Sequence, residues 1–297
     1  MPRSDTEHNK EGPPKPKIII AVPARIGSTR LKNKPLASLG EQPLIVRVVK
    51  RVQHCLLQVR SRLSLSEAET LALVATDCEE IQKALKTSQI RVEMSPPELP
   101  SGTDRVEYVI RKLYLDETTA LSPDTLVVNL QGDEPFFCIE DVLNLIQTME
   151  KNPAYPMGTL AFKNNSVQQF ITPSCVKVVR NHNGDALYFT RSPVPWPRSL
   201  WGASEPLSSA AVTHLETDSI PFLQHVGVYA FRLSALQKFT KLEPSRLELA
   251  EGLEQLRALE AGWKIIVVDA ADAPFGIDTE ADLARASAHL HKMESNL

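Results

Sequence analysis

The sequence predicts an α/β fold: a mainly parallel, mixed sheet flanked by helices, with a hairpin-bearing subregion. Three observations predict it. Apolar runs of strand length recur at 17–22, 71–75, 90–94 and 126–130, separated by helical segments, and strands alternating with helices give βαβ units buried on both faces. The first and last of these runs empty into polar loops, where an open α/β sheet places donors beyond its carboxyl edge. Finally, Asn183-Gly184 lies between the apolar runs 176–179 and 186–189, the strongest short-range signal for an antiparallel hairpin.

The elements follow in order. Residues 1–16 are polar and rich in proline and charge, with no apolar run; they are expected to be a disordered lead-in and not a signal peptide. Residues 17–297 are expected to form a single domain. Pro43 opens a helix to about residue 59, with Leu44, Val48, Val52 and Leu56 at helical spacing. The strand at 71–75 ends in Thr76-Asp77, which would cap a helix over 78–86. A proline-rich loop at 95–102 leads to a helix from about 103 to 115, and the run at 126–130 stops at Gln131-Gly-Asp-Glu-Pro135. The stretch 196–224 has no period and reads as a surface loop or an oligomer contact. A strand at 225–231, one helix over 247–261 and a strand at 264–268 come next. A last helix at 279–291 follows, with Thr279 and Asp282 placed as a capping box.

Composition narrows the function. With 42% hydrophobic and 23% charged residues in 297, the chain has ordinary globular composition and can bury roughly three quarters of its unfolded surface. A net charge of -3 argues against a nucleic-acid-binding domain, so an anionic ligand must be held by local cations. The cysteines, at 55, 78, 138 and 175, form no Cys-x-x-Cys pair. They read as free thiols of a reducing, cytoplasmic compartment, not as a zinc ribbon. No apolar stretch is long enough to span a bilayer.

The most informative stretch runs from Ile18 to Leu36. An apolar run ending in Pro23 gives way to a turn carrying Arg25, Ser28, Thr29, Arg30 and Lys34. Three cations neutralise a polyanion while hydroxyls and loop amides supply directional hydrogen bonds, so a triphosphate cradle is expected. The P-loop pattern is absent, and Gly27 alone cannot make the glycine fingerprint of a dinucleotide-binding dehydrogenase. Asp133 directly follows the fourth strand, and Asp278, in Phe275-Gly-Ile-Asp-Thr279, lies past another. Two hard oxygen ligands with phosphates are what Mg²⁺ prefers. Singly, Asp133 also reads as a turn residue and Asp278 as a helix cap. Ser101-Gly-Thr-Asp-Arg105 offers free amides to an anion or carbonyl, or is a plain helix start. Arg191 would suit a carboxylate, with a surface position as the alternative. Alternation puts His225, Gly227 and Tyr229 on one strand face. Over 247–261, Leu249, Leu253 and Leu256 form the expected core stripe, while Glu248, Glu251 and Gln255 share another, ordinarily solvated, face.

Assembled in order, these segments resemble the 3-deoxy-manno-octulosonate cytidylyltransferase (CMP-Kdo synthetase) family from about residue 17 to 290. The carriers are Pro23-Ala-Arg-Ile-Gly-Ser-Thr-Arg-Leu31 with Lys34-Pro-Leu36, Ala75-Thr-Asp77, Ser101-Gly-Thr-Asp-Arg105 and Gln131-Gly-Asp-Glu-Pro135. Further carriers are Val176-Lys-Val-Val179, Ala186-Leu-Tyr-Phe-Thr-Arg191, Pro195-Trp196, His225-Val-Gly-Val-Tyr229, Leu253-Glu-Gln-Leu-Arg257 and Gly276-Ile-Asp-Thr279. The resemblance implies a nucleotide-diphosphosugar-transferase type fold, a homodimer, and the joining of CTP to the eight-carbon acid sugar Kdo for lipopolysaccharide synthesis. It implies that Arg25, Arg30 and Lys34 bind triphosphate and that Asp133 and Asp278 hold Mg²⁺. Ser101, Gly102 and Thr103 would belong to the cytidine pocket, and Gln131, Arg191, His225, Tyr229, Glu254 and Gln255 would surround the sugar. The chain departs from the family at Leu99, where a histidine is usual, and at Lys32-Asn33, where Pro-Gly is usual.

Such a transfer needs in-line attack of the sugar's anomeric hydroxyl on the α-phosphorus, with charge growing on the departing pyrophosphate. Arg30, Lys34 and Asp133 are the expected catalytic residues, and the sequence offers no obvious protein general base. The rivals are the same transfer to 8-amino-Kdo or a sialic acid, and a non-catalytic regulatory module on this fold. Leu253–Arg257 and the 225–229 strand weigh against sialic acid. The retained cations and aspartates weigh against a silent module.

Overall fold

Strand β1 (Ile18–Ala24) carries a nearly continuous apolar run, as a strand covered on both faces must. The structure, a computed structural model, describes residues 15–27, 30–114, 120–198 and 221–295. Ser28, most of the expected lead-in and most of the 196–224 loop lie outside the described residues. Beside β1 run β2 (Thr70–Thr76), parallel from Ile18↔Thr70 to Ala24↔Thr76, and then β3 (Arg91–Met94), parallel to β2. On its other side β4 (Leu126–Asn129) is parallel from Ile18↔Leu126 to Ala21↔Asn129. Because β4 stops three residues before β1 does, its following loop turns over the exposed end of β1.

The described strands complete a mixed sheet. β5 (Met157–Asn164), the hairpin β6 (Lys177–Arg180) and β7 (Ala186–Thr190), β8 (Phe222–Arg232) and β9 (Ile265–Ala270) give the order β9-β5-β8-β4-β1-β2-β3. β8 is antiparallel to both β4 and β5, and β6 pairs with β8 and β7. The expected mainly parallel sheet and hairpin are both present. One face is buried by α1 (Leu44–Leu63) and α4 (Ile139–Lys151), through Val48, Val52, Leu145 and Ile146. The other is covered by α3 (Gly102–Leu113) and α6 (Leu233–Phe239), through Val106, Ile110, Leu236 and Phe239, while the short α5 (Val167–Ile171) packs Phe170 against Phe222 at the start of β8. Each such burial contributes about 1.5–3 kcal/mol.

Three expectations are corrected. The single helix over 247–261 is two helices, α7 (Arg246–Glu251) and α8 (Gln255–Glu260), parted at Gly252 with φ 61°. A glycine in the left-handed region ends a helix at little cost. Leu249 is therefore 73% exposed and not core, and Glu248 caps α7 and pairs with Arg257 at 2.5 Å instead of facing solvent. The expected 78–86 helix is the shorter α2 (Glu79–Ala84). Asp77 does not cap it: Thr76 Oγ1 accepts from Cys78 N at 3.2 Å, and Asp77 pairs with Arg105 at 2.9 Å. The capping box does open α9 (Glu280–Ser295), with Thr279 N donating to Asp282 Oδ2 at 3.0 Å and Asp282 N to Thr279 Oγ1 at 3.2 Å.

The Lys32-Asn33 turn is made without a glycine, because Asn33 adopts φ 53°, ψ 35°, a region asparagine enters more readily than other residues. Asn33→Val should therefore lower stability by roughly 1–2 kcal/mol, while Asn33→Gly should change it by less than about 1 kcal/mol. Thermal and denaturant unfolding measure both, and a valine variant as stable as the original would disprove this account.

Candidate active site

At the carboxyl edge of β1 and β4 the structure opens a cleft of about 710 Å³. Its first wall is the basic loop, contributing Arg25, Arg30 and Lys34. The second comes from the loop after β4. Gly132 is required there, because a Cβ at that position would come within 2.8 Å of the Pro23 carbonyl. That close approach presses the loop against the end of β1 and presents Gln131, Asp133 and Glu134 to the cleft.

Asp278 arrives from the far end of the sequence by a main-chain tie: Ile277 N donates to Asp133 O at 3.1 Å. The Phe136 and Phe275 rings meet edge to face at 5.3 Å behind it. Since Asp282 and Thr279 cap α9, the Asp278 carboxylate is left for the cleft. Lys34 Nζ lies 2.5 Å from Asp133 Oδ2 and 2.9 Å from Asp278 Oδ1, and Arg30 reaches Asp278 Oδ1 at 3.1 Å. Burial works against the Lys34 ammonium, but the two carboxylates outweigh it, so its pKa lies above the usual lysine value. Burial, with the charges of Asp133 and Asp278, pushes Glu134 up to about 8. At neutral pH Glu134 is therefore mostly uncharged and adds little to the negative charge beside it.

The third wall is polar and deeply set. β8 bulges against β5 between Val226 and Tyr229, and His225, Gly227 and Tyr229 line the cleft. Burial lowers His225 to about 3, so its imidazole is neutral. Thr159 Oγ1 lies 2.8 Å from Val228 O and 3.0 Å from His225 Nε2. With the hydroxyl proton given to the carbonyl, network logic places the imidazole proton on Nε2. Tyr229, whose pKa is raised by burial and by the charges of Glu254 and Glu134, donates to Gln255 Oε1 at 3.1 Å. Gln255 Nε2 and Asn129 Oδ1 are buried in this wall without a partner.

Adjoining it, the start of α3 brings Ser101, Gly102 and Thr103, and the α7–α8 junction brings Glu254. Arg191 also lines the cleft, but its guanidinium holds backbone: Nε donates to Glu251 O at 2.6 Å, with further bonds to Pro173 O and Gly252 O at 3.1 and 3.3 Å. The expected residues other than Ser28 thus converge on one cleft. Sequence reasoning missed Asn129, Arg105 and Glu134. Asn129 had a signal in a polar residue ending an apolar run; the partners of Arg105, being distant in sequence, left none.

A mixed sheet whose parallel strands carry cations and paired carboxylates at their carboxyl edge is an architecture for nucleotide chemistry. The family model described as cytidylyltransferase matches residues 18–265, and the chain belongs to that family. It is 38% identical over 274 residues to a 3-deoxy-manno-octulosonate cytidylyltransferase of Polynucleobacter asymbioticus, covering 92% of this chain and 95% of the relative. It is 39% identical over 276 residues to the protein of the same description from Marinobacter nauticus, covering 92% and 97%. A solved CMP:2-keto-3-deoxy-manno-octonic acid synthetase complexed with CTP matches with a TM-score of 0.74 and 36% identity, over 93% of this chain and 99% of that one. Within the cytidylyltransferases, the chain belongs with the 3-deoxy-manno-octulosonate cytidylyltransferases.

Proposed function

We propose that this chain transfers CMP from CTP to the anomeric hydroxyl of Kdo, releasing pyrophosphate and supplying CMP-Kdo for lipopolysaccharide synthesis. The carrying observation is that one cleft sets the cationic loop and two carboxylates against a neutral polar wall. Arg25, Arg30 and Lys34 bind the triphosphate, and Arg30 and Lys34 stabilise charge as it grows on the departing pyrophosphate. Gln131, His225, Tyr229, Glu254 and Gln255 orient the hydroxyls of the sugar, and Arg191 braces the Glu251–Gly252 backbone beside them. With no general base apparent among these groups, catalysis is positioning and electrostatics.

Asp133 and Asp278 fit Mg²⁺, because their oxygens already converge on one point at Lys34 Nζ and a nucleotide would add phosphate oxygens. Among the described residues no cluster of three or more His, Cys, Asp or Glu is arranged for a metal, so the protein would supply two carboxylates and the substrates the rest. When bound, Mg²⁺ would polarise phosphoryl oxygens and lower the pKa of the attacking hydroxyl. A homodimer in the cytoplasm completes the reading. It is supported by the family resemblance, by four free thiols, and by the lack, among the described residues, of any helix long and apolar enough to cross a membrane.

Pyrophosphate release should be fast with CTP and Kdo, and slower by about 10²-fold or more with UTP, whose base leaves polar groups of a cytosine site unpaired. Running Kdo, 8-amino-Kdo and a sialic acid in parallel ranks the sugars. Equal rates with UTP, or a preference for sialic acid, would sink the reading, and absence of release with every sugar would favour a regulatory module.

A further inference from the structure

The family resemblance gives Thr103 to the nucleotide. The geometry points to a different task, and we propose that Thr103 is a positioning residue for the acid sugar, its hydroxyl fixing the Glu254 carboxylate in the sugar wall. This rests on the reading of the cleft as a CTP and Kdo site.

Thr103 lies in the first turn of α3 and is 1% exposed. Its Oγ1 stands 2.6 Å from Glu254 Oε1, across 151 residues of sequence, and Asn129 Nδ2 approaches the same Oγ1 at 3.3 Å. A carboxylate only accepts, so the single hydroxyl proton of Thr103 goes to Glu254 and its oxygen accepts from Asn129. The relay Asn129→Thr103→Glu254 commits that proton and leaves little of the side chain for a nucleotide to meet.

Glu254 needs such a partner. It follows the left-handed Gly252 and precedes α8, which starts at Gln255, so no helix interior fixes its backbone on both sides. Burial raises its pKa, while the hydrogen bond from Thr103 pulls it back. The next residue, Gln255, takes the Tyr229 hydroxyl, so an error in the Glu254 position passes to the rest of the sugar wall. Asp104, in the same turn as Thr103, sits on the other side of the balance, its charge raising Glu254 while that of Arg257 lowers it. A hydroxyl given to a carboxylate is a charge-assisted bond, whose loss corresponds to roughly 10-fold or more in affinity.

Thr103→Val removes the hydroxyl and keeps the shape; Thr103→Ser keeps the hydroxyl. Steady-state pyrophosphate release is measured while CTP and Kdo are varied separately. The expected result for Thr103→Val is a Kdo KM raised about 10-fold or more with the CTP KM within about 2-fold, largely restored in Thr103→Ser. Thr103→Ala replaces the valine variant if that one does not fold. Combined with Glu254→Ala, which takes away the acceptor, the Thr103 substitution should add little to the loss from Glu254→Ala alone, since both remove one bond. A raised CTP KM, unchanged KM values, a serine variant no better than valine, or additive losses would each overturn the assignment. Failure of the unsubstituted chain to release pyrophosphate from CTP and Kdo would overturn the underlying reading, and this proposal with it, and is distinguished by the control alone.

Discussion

Asp133→Asn should leave a folded protein whose pyrophosphate release falls by about 10³-fold. Asparagine keeps the shape and one oxygen but removes the charge that faces Lys34 and that a divalent cation needs. Folding should survive, because the Asp133 and Asp278 side chains are 27% and 41% exposed, and ion pairs this open to water are worth about 1 kcal/mol or less. Asp278→Asn is expected to behave alike with a smaller loss, about 10²-fold, since Arg30 and Lys34 share its carboxylate while Asp133 takes the closer contact with Lys34. Circular dichroism and thermal unfolding check the fold, and rate against Mg²⁺ concentration checks the role. A folded Asp278→Asn protein with a near-normal rate and unchanged metal dependence would leave Asp133 as the only metal ligand from the protein.

The parts of this molecule that the sequence made legible are those encoded locally. β1 and β4 are short apolar runs with polar exits, so the position of Arg25, Arg30, Lys34 and Asp133 at the carboxyl edge of the sheet could be read directly. The capping box at Thr279 and Asp282 is a three-residue pattern and was equally readable. What stayed hidden depends on partners far away in the chain. Leu249, Leu253 and Leu256 have helical spacing, yet Gly252 breaks the helix where its carbonyl and that of Glu251 accept from Arg191, 61 and 60 residues away. Asp77 stands where a cap would, but Arg105, 28 residues on, claims it. β5 was overlooked because Gly158 interrupts its apolar run, although the close approach of Met149 and Ile266 explains why a glycine sits there. Family resemblance drew Glu254 and Gln255 into the expected sugar site, where periodicity alone would have left them on a solvated face. It could not show that the Thr103 hydroxyl is spent on Glu254.

Lys34→Ala should lower turnover by about 10²-fold or more, while Lys32→Ala, two residues earlier, should change it by less than about 3-fold. Both are lysines of one basic loop, so net charge falls equally and long-range attraction for CTP is reduced alike. They differ in placement. The Lys34 side chain is 15% exposed and contacts both carboxylates, whereas Lys32 is exposed and outside the cleft lining. An ammonium fixed in a partly desolvated cleft acts on charge developing on a leaving phosphate far more strongly than one in water. Its pKa, raised by Asp133 and Asp278 against the effect of burial, keeps it charged well above neutral pH, so Lys34 should impose no alkaline limb on the rate below the usual lysine range. Lys34→Arg should recover only part of the loss, since a planar fork cannot occupy the point where a compact ammonium meets two carboxylates. Rates at saturating CTP and Kdo across pH 6 to about 9, with the two alanine variants side by side, decide the matter. If Lys32→Ala and Lys34→Ala lose the same amount, the loop acts through its total charge, and the position of Lys34 between the aspartates has no part in catalysis.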